Sequence, residues 1–379
     1  MTKLEQLIEE LCPNGVERKS IGDICDICRG RVMSKDYISE NKGEYPVYSS
    51  QTENNGELGR IATFDFDGEY LSWTTDGANA GTVFYRNGKF SVTNVCGLLK
   101  IKNDGLLTKY LYYTLNAEAP NHVNSGMENP KLMSNVMAKI TIPIPPLPVQ
   151  EAIVRILDAF TELTAELTAE LTAELTARKK QYGYYRDFLY TVDNADVEWT
   201  TLDRISENCD RQRKPVTKGN RVAGKYPYYG ASGIVDYVED YIFDGDFLLV
   251  SEDGANLLAR STPIAFSISG KNWVNNHAHV LKFDTYELRR YVEIYLNSID
   301  LSKYISGGAQ PKLNQENLNK IPIPVPSPER VKYVVSILDR FDTLCNDISA
   351  GLPAEIVARQ KQYEYYRDKL LTFKEVSQC

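Results

Sequence analysis

Long apolar runs, histidines and recognisable cysteine pairs are scarce or missing in this sequence of 379 residues. No stretch approaches the run of about 18 apolar residues that can cross a membrane. The charged N-terminal stretch MTKLEQLIEELCPNG does not resemble a signal peptide. Seven cysteines, an odd number at irregular spacing, favour reduced thiols. Together these features predict a cytoplasmic protein.

Patterns of catalytic and metal-binding residues are also missing. The three histidines, His122, His277 and His279, suggest no Ser-His-Asp arrangement. Cys25 and Cys28 form a Cys-x-x-Cys pair, but no second pair or histidine cluster is present to complete a zinc site. The chain has no glycine-rich cofactor loop, and ENPK at 128–131 lacks the second proline and the aromatic residue of a methyltransferase motif. We therefore predict no catalytic residues, no metal ion and no cofactor in this chain.

The net charge of −8 counts against nucleic-acid binding when the chain is taken as a whole. A basic face can nevertheless coexist with acidic supporting surfaces, so the local distribution of charge matters more than its sum. Tyrosine is abundant, with 25 residues against 12 phenylalanines. Such a composition favours surfaces that recognise partners by hydrogen bonds as well as by apolar contact, although many rings could equally belong to the core.

The sequence contains an internal duplication. The matching pairs include SGMENPKL at 125–132 with SGGAQPKL at 306–313, KITIPIP at 139–145 with KIPIPVP at 320–326, and ARKKQYGYYRDFLYT at 177–191 with ARQKQYEYYRDKLLT at 358–372. The match is weakest around residues 25–44, 51–64 and 77–91 and their counterparts. The two copies are therefore predicted to share a scaffold and to differ in their loops.

Each copy begins with a globular segment of short strands and turns. EYLSW, GTVFYRNGKFSV and CGLLKIKN have strand-like patterns, and RNGK is typical of a type I′ hairpin turn. TKYLYYTLNA has helical spacing and is expected to pack on the sheet. The proline-rich IPIPPLP predicts an extended strap that leads into the next element.

A long helix is predicted from about 149 to 190, because apolar residues recur every three or four positions and no proline interrupts them. The second copy carries a matching helix from about 329 to 373, in which Gly351 and Pro353 predict a kink or break. We expect an α+β fold in which two globular mixed α/β domains are separated by two long antiparallel helices, a coiled-coil rod with pseudo-twofold symmetry. The predicted boundaries are 1–146 and 193–327 for the domains, and 147–192 and 328–379 for the helices.

The chain resembles the specificity (S, HsdS-type) subunits of type I restriction–modification systems. The resemblance rests on the two variable domains with their proline-rich straps and long helices, on GMENPKLMSNVMAKITIPIPPLPVQEAIVRILDAF and KQYGYYRDFL, and on the TAEL repeats at 164–175. It implies a non-catalytic subunit in which each domain is a target-recognition domain for one half of a split sequence of double-stranded DNA. It also implies two methylation (M) subunits that use S-adenosylmethionine, and restriction (R) subunits that use ATP and magnesium.

Candidate DNA contacts lie where the two copies diverge. Basic residues cluster in CRGRVMSK at 28–35 and RQRKPVTKGNR at 211–221, where they can neutralise phosphates or donate to guanine, although a solvated charge run is the alternative. Amides, hydroxyls and rings follow in YPVYSSQTENNG, YPYYGASG and NWVNNHAHV, in which Tyr45 and Tyr226 are expected to be core. The loop SWTTDGANAG is either a DNA contact or an ordinary turn. The candidates are Arg29, Arg31, Lys35, Tyr48, Ser50, Gln51, Asn54, Thr74, Thr75, Asn79, Arg211, Arg213, Lys214, Lys218, Tyr229, Ser232, Asn275, Asn276 and His277.

The motifs YGYYRD and YEYYRD are repeated on both helices and so cannot encode two different half-sites. They predict a surface for two copies of one partner, the M subunit, because tyrosine and arginine dominate binding hot spots. The alternative is that these rings pack within the helix pair. The residues are Tyr182, Tyr184, Tyr185, Arg186, Tyr363, Tyr365, Tyr366 and Arg367.

The TAEL units are predicted to act as a spacer that sets the distance between the two domains. Ala, Glu and Leu are good helix formers, so units can be added without breaking the helix. A competing hypothesis is a non-catalytic scaffold that holds two protein- or glycan-binding modules at a fixed distance. Basic loops in both domains favour the DNA-binding hypothesis, and uniformly acidic domains would favour the scaffold.

Overall fold

A computed structural model describes residues 2–124, 126, 129–191, 197–307, 310–347 and 349–375. Parts of the SGMENPKL and SGGAQPKL segments, namely residues 125, 127, 128, 308 and 309, lie outside the described residues. The chain divides into two compact units, Met1–Glu170 with Ile356–Cys379, and Leu171–Glu355. Within the described residues, no helix has the combination of length and apolar character that a membrane crossing requires.

The described part of the first unit contains ten strands and, before its C-terminal helix, six α-helices. The sixth helix continues into the second unit. The helices are α1 (Lys3–Leu11), α2 (Ile21–Ile24), α3 (Lys35–Glu40), α4 (Thr108–Glu118), α5 (Ser134–Met137) and α6 (Leu147–Thr191). The strands are β1 (Arg18–Ser20), β2 (Cys25–Arg29), β3 (Lys42–Tyr48), β4 (Glu57–Ile61), β5 (Phe66–Asp67), β6 (Tyr70–Thr74), β7 (Val83–Arg86), β8 (Lys89–Val92), β9 (Cys96–Ile101) and β10 (Thr141–Pro143).

The second unit repeats this order of strands. Its helices are α7 (Leu202–Ile205), α8 (Asn256–Ala259), α9 (Tyr286–Ser298), α10 (Gln315–Asn319) and α11 (Pro328–Asn346), and α12 (Leu352–Leu371) returns to the first unit. Its strands are β11 (Glu198–Thr201), β12 (Glu207–Asn208), β13 (Ala223–Gly230), β14 (Gly233–Val238), β15 (Phe243–Asp244), β16 (Phe247–Ser251), β17 (Ala265–Ile268), β18 (Lys271–Val274), β19 (Ala278–Lys282) and β20 (Pro322–Val325).

Both domains have the same sheet topology. The first has the strand orders β2-β9-β6-β7 and β4-β3-β8-β5 and the pair β1-β10. The second has the orders β12-β19-β16-β17 and β14-β13-β18-β15 and the pair β11-β20. The central strands β6 and β16 are buried along their whole length, and the buried polar residues Ser72 and Thr74 lie on β6. The duplication predicted from the sequence is therefore present in the fold.

The predicted hairpin at RNGK is wrong. Strand β7 pairs with β6, whereas β8 pairs with β3 and β5, so Asn87 and Gly88 join strands of two different sheets. Gly88 exchanges two backbone hydrogen bonds of 3.1 Å with Gly68, and both have positive φ, of 89° and 113°. These glycines bend a long ribbon where it passes from one sheet to the other, and the turn of that ribbon is the glycine-rich loop 75–82.

Each domain is closed by a helix that packs on its sheet. Helix α4 buries Tyr110, Leu111, Tyr113 and Leu115, as the spacing of TKYLYYTLNA predicts. Part of the proline-rich strap pairs as β10 with β1. Tyr45 and Tyr226 are only half-buried and pack on Phe64 and Tyr241, with ring centroids 5.0 and 5.1 Å apart, instead of filling the core.

The long helices pair within each unit. In the first unit, Phe160 of α6 packs on Tyr366 of α12 and Thr161 is hydrogen-bonded to Tyr363, so the two segments run antiparallel. In the second unit, Leu189 of α6 packs near Val331 of α11 and Tyr182 near Phe341, again in antiparallel order. Helix α6 is continuous over 45 residues, close to the predicted range.

The second long helix is broken, as predicted. Helix α11 ends at Asn346 and α12 begins at Leu352. The Asp347 carboxylate accepts hydrogen bonds from the backbone N–H groups of Ser349 and Ala350 at 2.7 and 3.2 Å. Pro353 lies in the first turn of α12, where the missing N–H costs no helical hydrogen bond.

Candidate nucleic-acid and partner interfaces

The glycine-rich loop of each domain is fixed by the segment that ends in PKL. In the first domain, Leu132 N–H donates to the Thr75 carbonyl at 2.9 Å and Gly77 N–H to that of Pro130 at 3.1 Å. In the second domain, Leu313 N–H donates to the Glu252 carbonyl at 2.7 Å. The PKL residues that match between the copies therefore position the loops that differ.

The basic residues predicted in the first domain are exposed. Arg29 donates to the Ser134 hydroxyl at 3.4 Å, and Lys35 lies in the first turn of α3. Arg31 forms an ion pair with Asp65 at 3.0 Å, and its guanidinium lies 5.1 Å from the centroid of the Tyr37 ring. Arg29 and Lys35 are thus more available to a phosphate than Arg31, which already has a carboxylate partner.

The polar loop after β3 is partly folded back on the domain. Gln51 donates to the Glu57 carbonyl, and Ser50 is half-buried. The Tyr48 ring is also half-buried, with a guanidinium over its face. Asn54 is exposed at the tip of a turn and has a positive φ of 49°. Of these four candidates, Asn54 presents the most accessible side chain.

Two candidates where β6 meets the glycine-rich loop do not face solvent. The side chains of Thr74 and Thr75 are fully buried, and their hydroxyls donate to the carbonyls of Asn79 and Val95. This placement disagrees with the predicted DNA contact, because both hydroxyls are used to hold the loop. Asn79 is exposed and donates to the Thr52 hydroxyl at 3.2 Å, so it remains at the surface with the loop after β3.

Most of the basic segment of the second domain is exposed. Arg211, Lys214 and Lys218 lie at the surface. Arg213 does not, because its guanidinium is bound by Glu252 at 2.6 Å and Asp210 at 3.2 Å and also donates to the Ala278 carbonyl. The predicted DNA contact by Arg213 therefore disagrees with the structure, which uses this residue as an internal bridge.

The remaining candidates of the second domain are divided between surface and interior. Ser232 and Asn276 are exposed, and Tyr229 is half-buried near Phe266. Asn275 is buried, and its carboxamide oxygen accepts the backbone N–H of His277 at 2.8 Å. His277 is exposed and lies 2.9 Å from Asp253. Asn275 therefore shapes the turn that presents Asn276 and His277.

A buried ionic cluster in the second domain was not predicted from the sequence. Asp210, Glu252 and His279 bring ligand-type atoms within 4.8 Å of one another. His279 Nδ1 lies 2.6 Å from Asp210, and its Nε2 lies 2.8 Å from the Leu313 carbonyl. Both ring nitrogens therefore face acceptors. Arg213 and Lys312 contact the carboxylates as well, so these carboxylates are already paired with cationic side chains of the protein.

The cluster lowers the pKa of both its carboxyls. Burial raises the pKa of Asp210, but the hydrogen bond and charge of His279, the N–H of Val280 and the charge of Arg213 outweigh it. Burial likewise raises the pKa of Glu252, and Arg213, His279 and Lys312 outweigh it. Both carboxylates are therefore ionised at neutral pH.

In the first domain, a different residue forms the hydrogen bond to the leucine carbonyl of the PKL segment. Register places Gly97 where the second domain has His279, and Trp73 where it has Val250. The Trp73 indole N–H donates to the Leu132 carbonyl at 2.9 Å, which matches the contact of His279 with Leu313. A Cβ at Gly97 would lie 2.0 Å from the Trp73 ring, so the tryptophan requires this glycine.

The repeated tyrosine motifs are split between the helix pairs and the surface. Tyr185 packs on Phe341 at 5.6 Å and Tyr366 on Phe160 at 6.0 Å, equivalent pairs in the two copies. Tyr182 packs near Phe341, and Tyr363 is hydrogen-bonded to Thr161 at 3.1 Å. By contrast, Tyr184 and Tyr365 are 67% and 63% exposed. The two arginines, Arg186 and Arg367, bind the adjacent Asp187 and Asp368 at 2.7 Å.

The Cys-x-x-Cys pair cannot act as one chelating unit in this conformation. Cys25 and Cys28 lie on strand β2, where residues three apart point to opposite faces. Cys25 is buried and Cys28 is exposed, and burial raises the pKa of Cys25 to about 12. The described cysteines are free thiols.

Comparison with known proteins agrees with this architecture. Residues 13–177 and 194–358 each match the type I restriction modification DNA specificity domain. A putative type I specificity subunit of Mycoplasma pneumoniae, S.MpnORF507P, is 33% identical over 360 residues, which cover 92% of this chain and 96% of the relative. The specificity subunit of the type I restriction enzyme MpnII from the same organism is 51% identical over 174 residues, 46% of this chain and 52% of the relative. The chain therefore belongs to the specificity subunits of type I restriction–modification systems.

Solved structures share the fold. A structure described as the basis of complex assembly and conformational transition of the type I R-M system matches with a TM-score of 0.64 and 13% identity, over 95% of this chain and 98% of that one. The S subunit of a type I system from M. genitalium matches with a TM-score of 0.51 and 18% identity, over 94% and 96%. The α+β fold with two recognition domains and a long helix between them is thus that of this family.

Proposed function

We propose that this chain reads a bipartite DNA target, with each domain contacting one half of the sequence. Two domains with one strand order but different loops carry this proposal. Exposed basic side chains border the divergent loops of both domains, as Arg29 and Lys35 do in the first and Arg211, Lys214 and Lys218 in the second. Cations at such loops can neutralise phosphates while neighbouring amides and hydroxyls read bases.

The chain itself performs no chemistry in this proposal. It acts in the cytoplasm and supplies sequence recognition to two M subunits, which bind S-adenosylmethionine, and to R subunits, which bind ATP and magnesium. We assign residues 1–146 and 193–327 to DNA recognition, and 147–192 and 328–379 to the helices that meet the M subunits. The carboxylates of Asp210 and Glu252 are engaged with Arg213, Lys312 and the His279 ring, and this cluster belongs to the fold.

The helix surfaces support two equivalent contacts with the same partner. A groove lined by Phe160, Arg359, Gln362 and Tyr366 in the first unit is matched by one lined by Phe341, Arg178, Gln181 and Tyr185 in the second. The exposed rings of Tyr184 and Tyr365 occupy the same position of the two repeated motifs. Identical chemistry presented twice suits two copies of one M subunit.

Methylome sequencing tests the proposed function directly. A strain without other methyltransferases would express this chain together with its M partner, and the methylated adenines would be mapped. We expect one motif made of two short specific halves with a fixed non-specific gap. Methylation without sequence preference, or a motif with a single uninterrupted half, would argue against two reading domains.

Deletion of one TAEL unit, residues 168–171, should change the gap and leave both halves unaltered. Each unit contributes about 6 Å of helix, and B-DNA rises about 3.4 Å per base pair, so the gap should shorten by one or two base pairs. Replacing the same four residues by four alanines is the control, since it keeps the helix length and should keep the gap. An altered half with an unchanged gap would refute the spacer function.

A further inference from the structure

An arginine in the first domain is buried without a full set of partners. Arg86, at the end of β7, is 2% exposed. Its Nε donates to the Ser72 hydroxyl at 2.9 Å. The two terminal nitrogens, Nη1 and Nη2, have no hydrogen-bond partner among the described residues. The outer edge of the guanidinium, which carries four N–H groups, is therefore unused.

The surroundings of Arg86 provide two aromatic faces and no carboxylate. The centre of its guanidinium lies 3.5 Å from the centroid of the Tyr48 ring and 4.5 Å from that of Phe84. No carboxylate of the described residues forms an ion pair with it. Burial lowers the pKa of Arg86 to about 10, and the nearby Tyr48 hydroxyl offsets part of that effect without reaching hydrogen-bonding geometry to Nη1 or Nη2. The side chain therefore still carries its charge at neutral pH. The rings hold the cation flat but leave its hydrogen-bonding edge unsatisfied.

The second domain does without this charge. Register pairs Tyr70 with Arg86 and Phe247 with Ile268, so Ile268 is the counterpart of Arg86. Ile268 is buried in an apolar cluster. Since an apolar residue is sufficient to complete the same frame, packing alone does not account for a buried arginine with unsatisfied donors.

The turn above Arg86 is held weakly. Asn54, Asn55 and Gly56 all have positive φ, of 49°, 53° and 77°, a left-handed turn conformation that asparagine and glycine tolerate. A Cβ at Gly56 would lie 3.1 Å from Arg86 Nη2, so this turn covers the free edge of the guanidinium. From the facing loop, the exposed Asn79 reaches the turn with one side-chain hydrogen bond to Thr52. Ser49 N–H also donates to the Gly56 carbonyl at 2.9 Å, within the turn, and this bond is kept if residues 53–56 swing as a unit away from the facing loop.

We propose that Arg86 is a DNA-contacting residue of the first domain, reached when the turn of residues 53–56 moves. Its free edge would then donate two hydrogen bonds to acceptors of the DNA, either phosphate oxygens or O6 and N7 of a guanine. The polar side chains around the turn, including Gln51, Asn54 and Asn79, lie at the entrance to this site. This inference rests on the proposed function and adds a specificity-determining residue to its first half-site.

The variant Arg86→Ile, which installs the residue of the second domain, tests the inference in the complex with the M subunit. We expect equal or higher thermal stability, because a buried charge with unsatisfied donors is removed. We also expect about 5- to 150-fold weaker binding to the wild-type target, the loss of one bidentate contact. The half of the motif read by the second domain should not change.

Two further observations separate a base from a phosphate. If Arg86 reads a guanine, the Arg86→Ile methylome relaxes at one position of one half-site. If it binds a phosphate, the motif is unchanged, affinity falls for all sequences, and the slope of log affinity against log salt becomes shallower by about one. Arg86→Lys keeps the charge without the fork and should retain the phosphate contact but not the guanine contact.

The inference is overturned if Arg86→Ile changes neither the motif nor the affinity for DNA. If the variant unfolds the domain, hydrogen exchange of residues 52–56 in the wild-type complex decides: the same exchange with and without target DNA also overturns the inference. That second measurement uses the unmodified complex and so does not depend on the variant folding. Arg289→Ile is the matched control, since Arg289 is buried in the second domain and its Nε also has no hydrogen-bond partner among the described residues, but its terminal nitrogen Nη1 is paired with Asp246 at 3.4 Å. It should lower stability and leave the motif unchanged. A wild-type complex without any sequence motif would instead refute the proposed function itself.

Discussion

The two domains have the same backbone topology but fill it with different buried polar groups. In the first domain, the carbonyl of Leu132 receives an indole N–H from Trp73. In the second, the matching carbonyl of Leu313 is hydrogen-bonded to the imidazole Nε2 of His279, which lies on the neighbouring strand. The shared element is the unpaired carbonyl of the PKL segment, which must find a donor once it is buried. The residue type that supplies the donor is free to change.

That exchange involves two positions in each domain. Trp73 needs Gly97 beside it because a Cβ there would clash with the ring. His279 instead has Val250 beside it, and its other nitrogen introduces Asp210 into the interior. Replacing the Trp73–Gly97 pair of the first domain by the Val250–His279 pair of the second therefore brings ionisable side chains into an interior that is otherwise neutral at this place. The two domains should respond differently to mutation and to pH.

The variant Trp73→Val should produce the largest effect. It installs the valine that the second domain has at this position, but without the histidine that supplies the hydrogen-bond donor there. It removes a fully buried ring and leaves the Leu132 carbonyl without its donor, at a cost of about 3–5 kcal/mol in the free energy of unfolding. Thermal or denaturant unfolding, with hydrogen exchange to locate the loss in the first domain, measures it. Trp199→Val is the control, since Trp199 is 56% exposed and should cost little. Equal losses from both variants would contradict the assignment.

Much of the frame could be predicted from the sequence. Repeated segments revealed the duplication, apolar spacing predicted α6 and α4, and Gly351 and Pro353 predicted the break before α12. These features depend on local pattern, which a sequence displays directly. RNGK failed because its turn-forming residues serve a bend between sheets, and only the partner Gly68, distant in sequence, distinguishes the two uses.

The candidate site was less predictable because residue type does not determine exposure. Arg213 and Lys214 are neighbours in one basic segment, yet Arg213 is bound to two carboxylates while Lys214 is exposed. The partners Asp210 and Glu252 come from a turn and a distant strand end, so no local pattern joins them. Arg86 was not a candidate, because its place at the start of RNGK predicted a residue beside an exposed hairpin turn and gave no sign that it would be buried.

Asp210→Asn should have the next largest effect and should be specific to the second domain. The variant keeps an acceptor for the Val280 N–H but loses the charge facing His279 and Arg213, at a cost of about 1.5–3 kcal/mol at neutral pH. Unfolding at pH 7, resolved by domain with hydrogen exchange, measures the loss. Asp236→Asn is the control, because the Asp236 side chain is 37% exposed in its pair with Arg221.

Acid should separate the two wild-type domains for the same reason. The pKa values of Asp210 and Glu252 are lower in the folded state than in the unfolded chain, so their contribution is present above about pH 4 and is lost as the pH falls through the folded values. The first domain has Arg29 and Thr75 at the equivalent places and should lose less stability. A second domain that loses no more stability than the first between pH 7 and pH 3 would contradict this, and Asp210→Asn should reduce the difference.

The smallest effect on stability is expected where the copies are most alike. Tyr184→Ala and Tyr365→Ala remove exposed rings, so each should change the free energy of unfolding by less than about 0.5 kcal/mol.

If the two rings contact two copies of one M subunit, each single variant should weaken one binding event by about 2 kcal/mol and leave the other intact, and the double variant should weaken both. Titration calorimetry or native mass spectrometry with the M subunit distinguishes one weakened site from two. Tyr237→Ala, a half-exposed tyrosine of the second domain, is the control and should leave both events unchanged. Unaltered binding by the double variant would place the M subunits elsewhere on the helices.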